Sequence, residues 1–372
     1  MVISSRIVGD HKLLVNCETG ELEILPSSDQ EYHDETFVTD QISSDQNTST
    51  AKGKIEYKKF EQKLSELGRM HNFPSVAILE FNLADQAFGS NPAYDYFQNM
   101  TRSAVRDLLS NLRDLGVILL RIQGVEPFEC KILQPLLHFS SSMGFVTELH
   151  SGLLTLPDYL INNTRPELQN GVFITSVYST NGEINDLITG VKDSLIHITK
   201  NIKLLKKVGY EIQVQTPITK KNFNERADIL AFVDKLGAKQ IFTWPVDEDD
   251  FPRIVEDIDF EISEDEYAQL CEEIPEFFDS QDSAFEEILD GKSPIIAIKA
   301  NGNVYDNRIS GDSIGNLTEK NLVSIYQQQD IIKKIETSKR TYDFPIVTNY
   351  RYIIRSRLFN REILEKILNL SK

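Results

Sequence analysis

No two of the three cysteines, Cys17, Cys130 and Cys271, lie close enough for a CxxC pair. An odd, widely spaced set gives no disulfide framework and fits a reducing cytoplasm. Basic residues are also short. There are 39 Lys and Arg against 57 Asp and Glu, a formal net charge of -18. Nucleic-acid backbones and anionic membrane surfaces need a dense basic face, so neither is the expected main partner. No apolar run approaches the roughly 18 residues of a membrane-crossing helix. The N-terminus, MVISSRIVGDHKLLVNC, has no long apolar stretch of the secretory-signal type. LLVNC has the outline of a lipobox before Cys17, but Asp10, His11 and Lys12 sit where apolar residues are needed. P-loop, HExxH, GxSxG and EF-hand signatures are missing, and the six histidines are isolated, without metal-ligand spacing. Asp247-Glu248-Asp249-Asp250 is a contiguous carboxylate run, which is more often a solvated turn than an ion site. No metal and no cofactor are expected.

What is present is the composition of a globular protein, 40% hydrophobic and 26% charged over 372 residues. Single cores stop growing near roughly 250–300 residues, so one large domain with a smaller appendage is expected. Residues 1–25 read as an N-terminal β element, with KLLVN and LEIL as two short strands around a turn at Glu18-Thr19-Gly20. Residues 26–53 are polar and acidic, with no Lys or Arg from Pro26 to Ala51, and read as a flexible linker. A helix is expected near 54–70, with Ile55, Phe60, Leu64 and Leu67 on one face.

From Phe73 apolar β-type runs alternate with helical stretches. The runs are 76–81, 117–122, 145–150, 172–178, 210–216 and 240–244; the helical patterns lie near 94–115, 129–143, 190–208 and 222–236. Gly116, Gly144, Gly209 and Gly237 stand between a helix and the next strand, where a left-handed residue ends the helix. Strands separated by helices imply a parallel sheet. Six units are too few for a closed eight-stranded barrel but enough for an open, partial (β/α)6 barrel of the TIM type, over 54–245. The remainder, 246–372, is α+β. Residues 246–290 hold 19 Asp and Glu and a single basic residue, Arg253. A capping box at Ser263 and Glu266 opens a helix over 262–274. Residues 294–309 read as a hairpin turning at Asn301-Gly302, and 317–329 begin a helix. The tail 331–372 is basic, ten Lys and Arg against four Asp and Glu. The acidic stretch either pairs internally with it or binds a basic peptide or enzyme surface.

Several phrases carry a resemblance. GVILLRIQGVEPFECKILQPLLHFSSSMGFVTELHSGLL (116–154) resembles the second and third strands of radical-SAM peptide maturases, where a strand ends in Gly-Gly-Glu-Pro. Residues 172–222 are similar to the family's fourth strand, its Thr-Gly-x-x-x-Ser helix start and its fifth strand. KANGNVYDNRISGDSIGNLTEKNLVSIY (299–326) looks like the C-terminal SPASM module, with its Asn-Gly hairpin and Gly-Asn-Leu before a helix. The resemblance spans 73–326. Active members carry CxxxCxxC after the first strand, because three thiolates hold a 4Fe–4S cluster. Here that segment, LEFNLADQAFGSNPAYDYF (79–97), has no cysteine and past the strand offers only Asp85 and Asp95; 294–372 also has none. The chain therefore looks like a pseudo-radical-SAM protein with a degenerate SPASM-like lobe, similar to the cysteine-less members found beside ribosomal-peptide maturation genes.

The resemblance implies a non-catalytic scaffold or partner that binds a ribosomal precursor peptide, a catalytic maturase, or both. Glu126 matches the carboxylate that lies by the amino group of S-adenosylmethionine in active relatives, while Val125 replaces the glycine after Gly124. The plain reading of Glu126-Pro127 is a strand end that caps the next helix. Glu148, His150, Tyr178, Gln215 and Trp244 lie near the ends of different expected strands, the active face of an α/β barrel. Glu148 and His150 are two apart and share a face, as do Gln213 and Gln215. A polar ligand cavity and ordinary core hydrogen bonding both explain them. The candidate ligand-binding set is thus Gly124, Glu126, Glu148, His150, Tyr178, Gln215 and Trp244. The alternative function is an enzyme acting on a peptide or small molecule without radical chemistry, for which Glu126, Glu148 and His150 supply the acid/base candidates. Leu13, Leu14 and Val15 of one N-terminal strand and Leu22 and Ile24 of the other are candidate peptide-docking residues, since an exposed edge accepts a peptide strand.

Overall fold

A computed structural model describes residues 3–8, 11–16, 22–26, 74–81, 96–124, 126–162, 171–243, 262–273, 295–306, 313–328 and 331. The expected helix at 54–70, the linker and the basic tail beyond 331 lie outside the described residues.

At the N-terminus there are three strands where the sequence pattern indicates two. They are β1 (Ile3–Val8), β2 (His11–Asn16) and β3 (Leu22–Pro26), antiparallel in the order β1-β2-β3. ISSRIV lacks period-two alternation. What makes it a strand is pairing along its whole length, from Ile3 opposite Asn16 to Val8 opposite His11. On its other side β2 pairs with β3, Leu13 facing Ile24 and Val15 facing Leu22. Both edges of β2 are therefore occupied, so the backbone of Leu13, Leu14 and Val15 is closed to an added strand. The sheet's outer edges belong to β1 and β3.

The second sheet is mixed, mostly parallel and open. Strands β4 (Val76–Phe81), β5 (Leu119–Gly124), β6 (Val146–His150), β7 (Gly171–Ser176), β8 (Glu211–Pro217) and β9 (Lys239–Thr243) stand in chain order. Three C-terminal strands extend it past β4. Parallel to β4 runs β10 (Ile295–Ile298), followed by antiparallel β11 (Asn303–Asp306) and β12 (Gly315–Asn316). The expected hairpin at 294–309 is β10–β11. Asn316 ties it down, its Nδ2 donating to Asn301 O at 3.0 Å and to Asn303 Oδ1 at 2.8 Å.

Eight helices are described: α1 (Arg102–Asp114), α2 (Leu133–Ser142), α3 (Asp158–Asn162), α4 (Gly182–Thr189), α5 (Ser194–Val208), α6 (Arg226–Lys235), α7 (Glu264–Glu273) and α8 (Leu322–Tyr326). The four expected helix-ending glycines all have positive φ. The chain divides into two compact units. One carries β1–β6 and β10–β12 with α1, α2 and α8; the other carries the body of β7 with β8, β9 and α3–α7.

In the first unit β4 is buried at every position. Thr101 caps α1, its Oγ1 accepting from Ala104 N at 3.2 Å. The helix buries Val105, Leu108, Leu109 and Leu112, the i, i+3, i+4, i+7 stripe of an amphipathic helix. The rings of Phe81 and Phe97, both fully buried, meet at 4.5 Å. In the second unit the helix expected over 190–208 is α5, and a further helix, α4, precedes it. Gly190, at φ 68, closes α4, and Asp193, at φ 60, precedes α5. The Asp186 carboxylate holds the junction, accepting from Asp193 N at 2.6 Å, Ser194 N at 2.8 Å and Ser194 Oγ at 2.7 Å. Polar turn chemistry of this kind interrupts a helical pattern without breaking its apolar period. The capping box at α7 forms as expected. Ser263 N donates to Glu266 Oε2 at 2.8 Å, and Glu266 N to Ser263 Oγ at 3.2 Å.

Gly124 ends β5 opposite Phe81 of β4. A Cβ there would stand 1.8 Å from the Phe81 carbonyl oxygen, and φ is +146. Both terms forbid a side chain. Gly124→Ala is expected to lower the unfolding free energy by roughly 3 kcal/mol or more, read from urea denaturation; an unchanged midpoint would show that the β4–β5 end yields freely.

Candidate functional site

The strand alternation of β4–β6 sorts polar from apolar residues. Arg121 is opposite Ile78 on β4 and Glu148 on β6, and Gln123 is opposite Glu80. Glu80, Arg121, Gln123, Glu148 and His150 therefore share one face. The opposite face carries Thr147, whose Oγ1 donates to Ser140 Oγ of α2 at 3.3 Å. The five polar residues are thus on the face turned away from α2, with Glu80, Gln123 and His150 toward the C-terminal ends of their strands.

Arg121 Nε donates to Glu148 Oε2 at 2.7 Å, with Glu148 4% and Arg121 9% exposed. His150 Nε2 lies 3.9 Å from the same carboxylate oxygen. Burial pushes the Glu148 carboxyl up. The Arg121 charge, the nearby His150 and the hydrogen bond from Arg121 more than reverse this, taking it down to about 2. Glu148 is therefore an anion at any ordinary pH, and a carboxyl held so low is a weak proton acceptor near neutrality.

At the end of β5, Glu126 is half-buried and its Oε1 accepts from Phe128 N at 3.2 Å. It caps the single 3-10 turn Pro127–Glu129, the structural role open to a strand-end Glu-Pro. Gly124 is exposed and set against Phe81. The structure thus places Gly124 and Glu126 three and five residues past Arg121 on the same strand end, and Val125 lies outside the described residues. Tyr178 and Gln215 belong to the other unit. Burial pushes the Tyr178 phenol up. Its backbone is clamped, Tyr178 N donating to Asn185 Oδ1 at 2.9 Å and Asn222 Nδ2 donating to Tyr178 O at 2.8 Å. Gln215 is half-buried opposite Ile241. Trp244 lies outside the described residues.

Sequence reasoning missed Arg121, Gln123 and Glu80. Their signal was there: Arg121 and Gln123 are two apart in an otherwise apolar strand, as Glu148 and His150 are. Among the described residues no three His, Cys, Asp or Glu side chains are arranged to hold a metal ion. No described helix is long and apolar enough to cross a membrane.

No family model matches the chain, and no curated protein sequence matches it. Solved structures do match its fold. SuiB of Streptococcus suis bound to S-adenosylmethionine superposes with a TM-score of 0.55 at 13% identity, covering 90% of this chain and 89% of SuiB. SuiB bound to its precursor peptide SuiA gives 0.56 at 13% identity with the same coverage. The open, mostly parallel sheet is thus the fold of radical SAM peptide maturases.

That fold implies a 4Fe–4S cluster, which requires three thiolates together. The residues here do not fit it. Cys130 is 3% exposed and closes the turn after Pro127–Glu129. Cys17 and Cys271 are 113 and 141 positions from it in sequence, by subtraction, and 79–97 has no cysteine.

Removing one partner of the buried ion pair strands the other. Arg121→Met is expected to cost about 3–5 kcal/mol in urea unfolding at pH 7. Glu148 sits below its ordinary 4.5, so its contribution is complete above that pH and is lost as pH falls toward 2. The stability gap between wild type and Glu148→Gln should accordingly shrink by about 3 kcal/mol between pH 5 and pH 2; a gap independent of pH would show the pair is not ionised.

Proposed function

We propose that this chain is a non-catalytic partner in the maturation of a ribosomally synthesised peptide. It binds the precursor peptide, a catalytic maturase, or both, in the cytoplasm and without an iron–sulfur cluster. The observation that carries this reading is a single pairing: a peptide-maturase fold over nine-tenths of the chain, joined to a sequence with no cysteine where cluster ligands would stand. SuiB has been solved with its precursor peptide bound, which supports a peptide as partner here. The state of the polar group on β5 and β6 supports the absence of catalysis. Glu148 is neutralised by Arg121, and the Glu126 carboxyl is spent on its own turn. The proposed organisation is a β element at 1–25, a linker at 26–53, the partial barrel at 54–245 and a SPASM-like region at 246–372 whose β10–β12 extend the barrel sheet.

Peptide docking falls to the N-terminal sheet. Since β2 is paired on both sides, an added strand must use the edge of β1 or of β3, and β3 carries Leu22 and Ile24. A peptide strand gains backbone hydrogen bonds there while the larger sheet stays rigid.

Two measurements test the reading. After anaerobic reconstitution the purified protein should hold no stoichiometric iron or sulfide and show no sulfur-to-iron charge-transfer absorption. Iron that is retained, and lost on replacing Cys17, Cys130 and Cys271, would overturn the pseudo-enzyme assignment. Deletion of residues 1–25 should leave the thermal melt of the larger sheet in place and abolish binding of co-expressed partners. A broad loss of stability would make those strands structural instead, and full binding with unchanged stability would remove the docking role from them.

A further inference from the structure

Charge is distributed unevenly over the second unit. The chain as a whole is acidic, at -18, yet α5 carries Lys200, Lys203, Lys206 and Lys207 and no Asp or Glu. Lys206 Nζ lies 3.9 Å from Glu211 Oε2. Lys200, Lys203 and Lys207 are exposed, and among the described residues none of the three has a carboxylate partner. Lysine near a helix C-terminus offsets the helix dipole, which accounts for Lys206 and Lys207 in the last turn but not for Lys200 and Lys203. With Ile196 the three exposed lysines occupy positions i, i+4, i+7 and i+11, a single stripe along the helix. It runs opposite Ile198, Ile202 and Leu205, the residues by which α5 is anchored in the core.

Ile196 opens this stripe at 65% exposure. Among the described residues the exposed large hydrophobic side chains are Leu187, Val191, Ile196 and Leu230, and the first three belong to the α4–α5 corner. Hydrogen bonds fix that corner. Besides the three to Asp186, Asn185 Nδ2 donates to Ser194 Oγ at 2.7 Å and Val191 N to Thr189 Oγ1 at 3.3 Å. Exposed apolar residues scattered singly need no explanation, but a group displayed on a rigid corner at the head of a basic stripe does. The stripe's spacing specifies the partner's backbone. Along α5, Lys200, Lys203 and Lys207 stand about 4.5 and 6 Å apart, with Ile196 a further ~6 Å back. A second helix repeats the same intervals, so acidic residues three and four apart meet successive lysines. An extended strand presents same-side residues every ~6.7 Å and falls out of step.

We propose that the exposed face of α5 docks an acidic amphipathic helix of a partner peptide. Lys200, Lys203 and Lys207 pair with its carboxylates, and Leu187, Val191 and Ile196 receive apolar side chains at its end. This rests on the peptide-binding reading for the nature of the occupant and gives it a second surface, apart from the edges of β1 and β3. The lysine charges steer and align the helix, while the apolar corner supplies the burial. Glu183 and Asp193, exposed at the corner, repel carboxylates there. They therefore orient the partner, acidic part over the lysines and apolar end at the corner. The same two carboxylates, in a chain this acidic, disfavour a phosphate backbone or an anionic membrane, which need a continuous basic face.

Calorimetry on the full chain tests this with a synthetic helical peptide of Ala, Glu and Leu, its Glu residues three and four apart on one face and its Leu residues at one end. The control is the same peptide with Gln in place of Glu. The acidic peptide should bind and the Gln peptide should not. The triple variant Lys200→Gln, Lys203→Gln, Lys207→Gln should weaken binding about tenfold, the combined worth of three exposed ion pairs. Ile196→Ala should weaken it about threefold or more. Raising the salt from about 0.05 to 0.5 M should weaken it as well. All four side chains are exposed, so the urea midpoint of both variants should match that of wild type, which keeps lost binding distinct from lost folding. An acidic peptide that fails to bind, or that binds the triple variant as it binds wild type, would overturn the proposal. Tighter binding of phosphatidylserine vesicles would overturn it and assign the stripe to a membrane surface. Self-association of the chain that the triple variant abolishes would overturn it in favour of a second copy. None of these failures touches docking at the N-terminal strands, which the 1–25 deletion tests separately.

Discussion

The Arg121–Glu148 pair is the interaction around which the larger sheet's polar face is organised. Two charges have been taken out of water on adjacent parallel strands, and each is tolerable only because the other is 2.7 Å away. The pairing needs Arg121 opposite Glu148, which is the register that β5 and β6 adopt. A slip of one residue would send Glu148 to the α2 side, among Leu136, Leu137 and Leu149. The ion pair is thus a register lock more than a source of net stability, since apolar residues of equal volume would cost less to bury. It also leaves His150, Gln123 and Glu80 sharing a polar face whose strong positive charge is already balanced.

This balance shapes what the face can do. Catalytic carboxylates in clefts tend to have their pKa values raised toward neutrality, where a proton can be both taken and returned. Glu148 goes the other way, and Glu126 is engaged with Phe128 N.

Much of the architecture was legible along the chain, and for a physical reason. Strands and helices with apolar faces write their period locally, and Gly116, Gly144, Gly209 and Gly237 mark helix ends because left-handed backbone excludes most other residues. The exceptions have equally definite causes. ISSRIV shows no alternation because its pairing with β2 makes it a strand, and α4 is a short extra helix set off from α5 by Asp186 bonds that an apolar pattern does not register. Within the site, Glu148 and His150 were found because their spacing of two is visible. Arg121 and Gln123 have the same spacing and were passed over among the leucines and isoleucines of their strand.

The sequence alone determined the order of elements, the open and mostly parallel sheet and the lack of cysteine in 79–97, because period, punctuation and composition are properties of neighbouring residues. It also placed Gly124 and Glu126 at a strand end. Only the tertiary structure decided that β2 is closed on both edges, that Arg121 neutralises Glu148, and that Gln123 lies beside Glu80 with its oxygen unpartnered. Those facts depend on which strand lies next to which and in what register. Register is settled by contacts between residues far apart in the chain, here 27 positions for Arg121 and Glu148, and no local pattern encodes them.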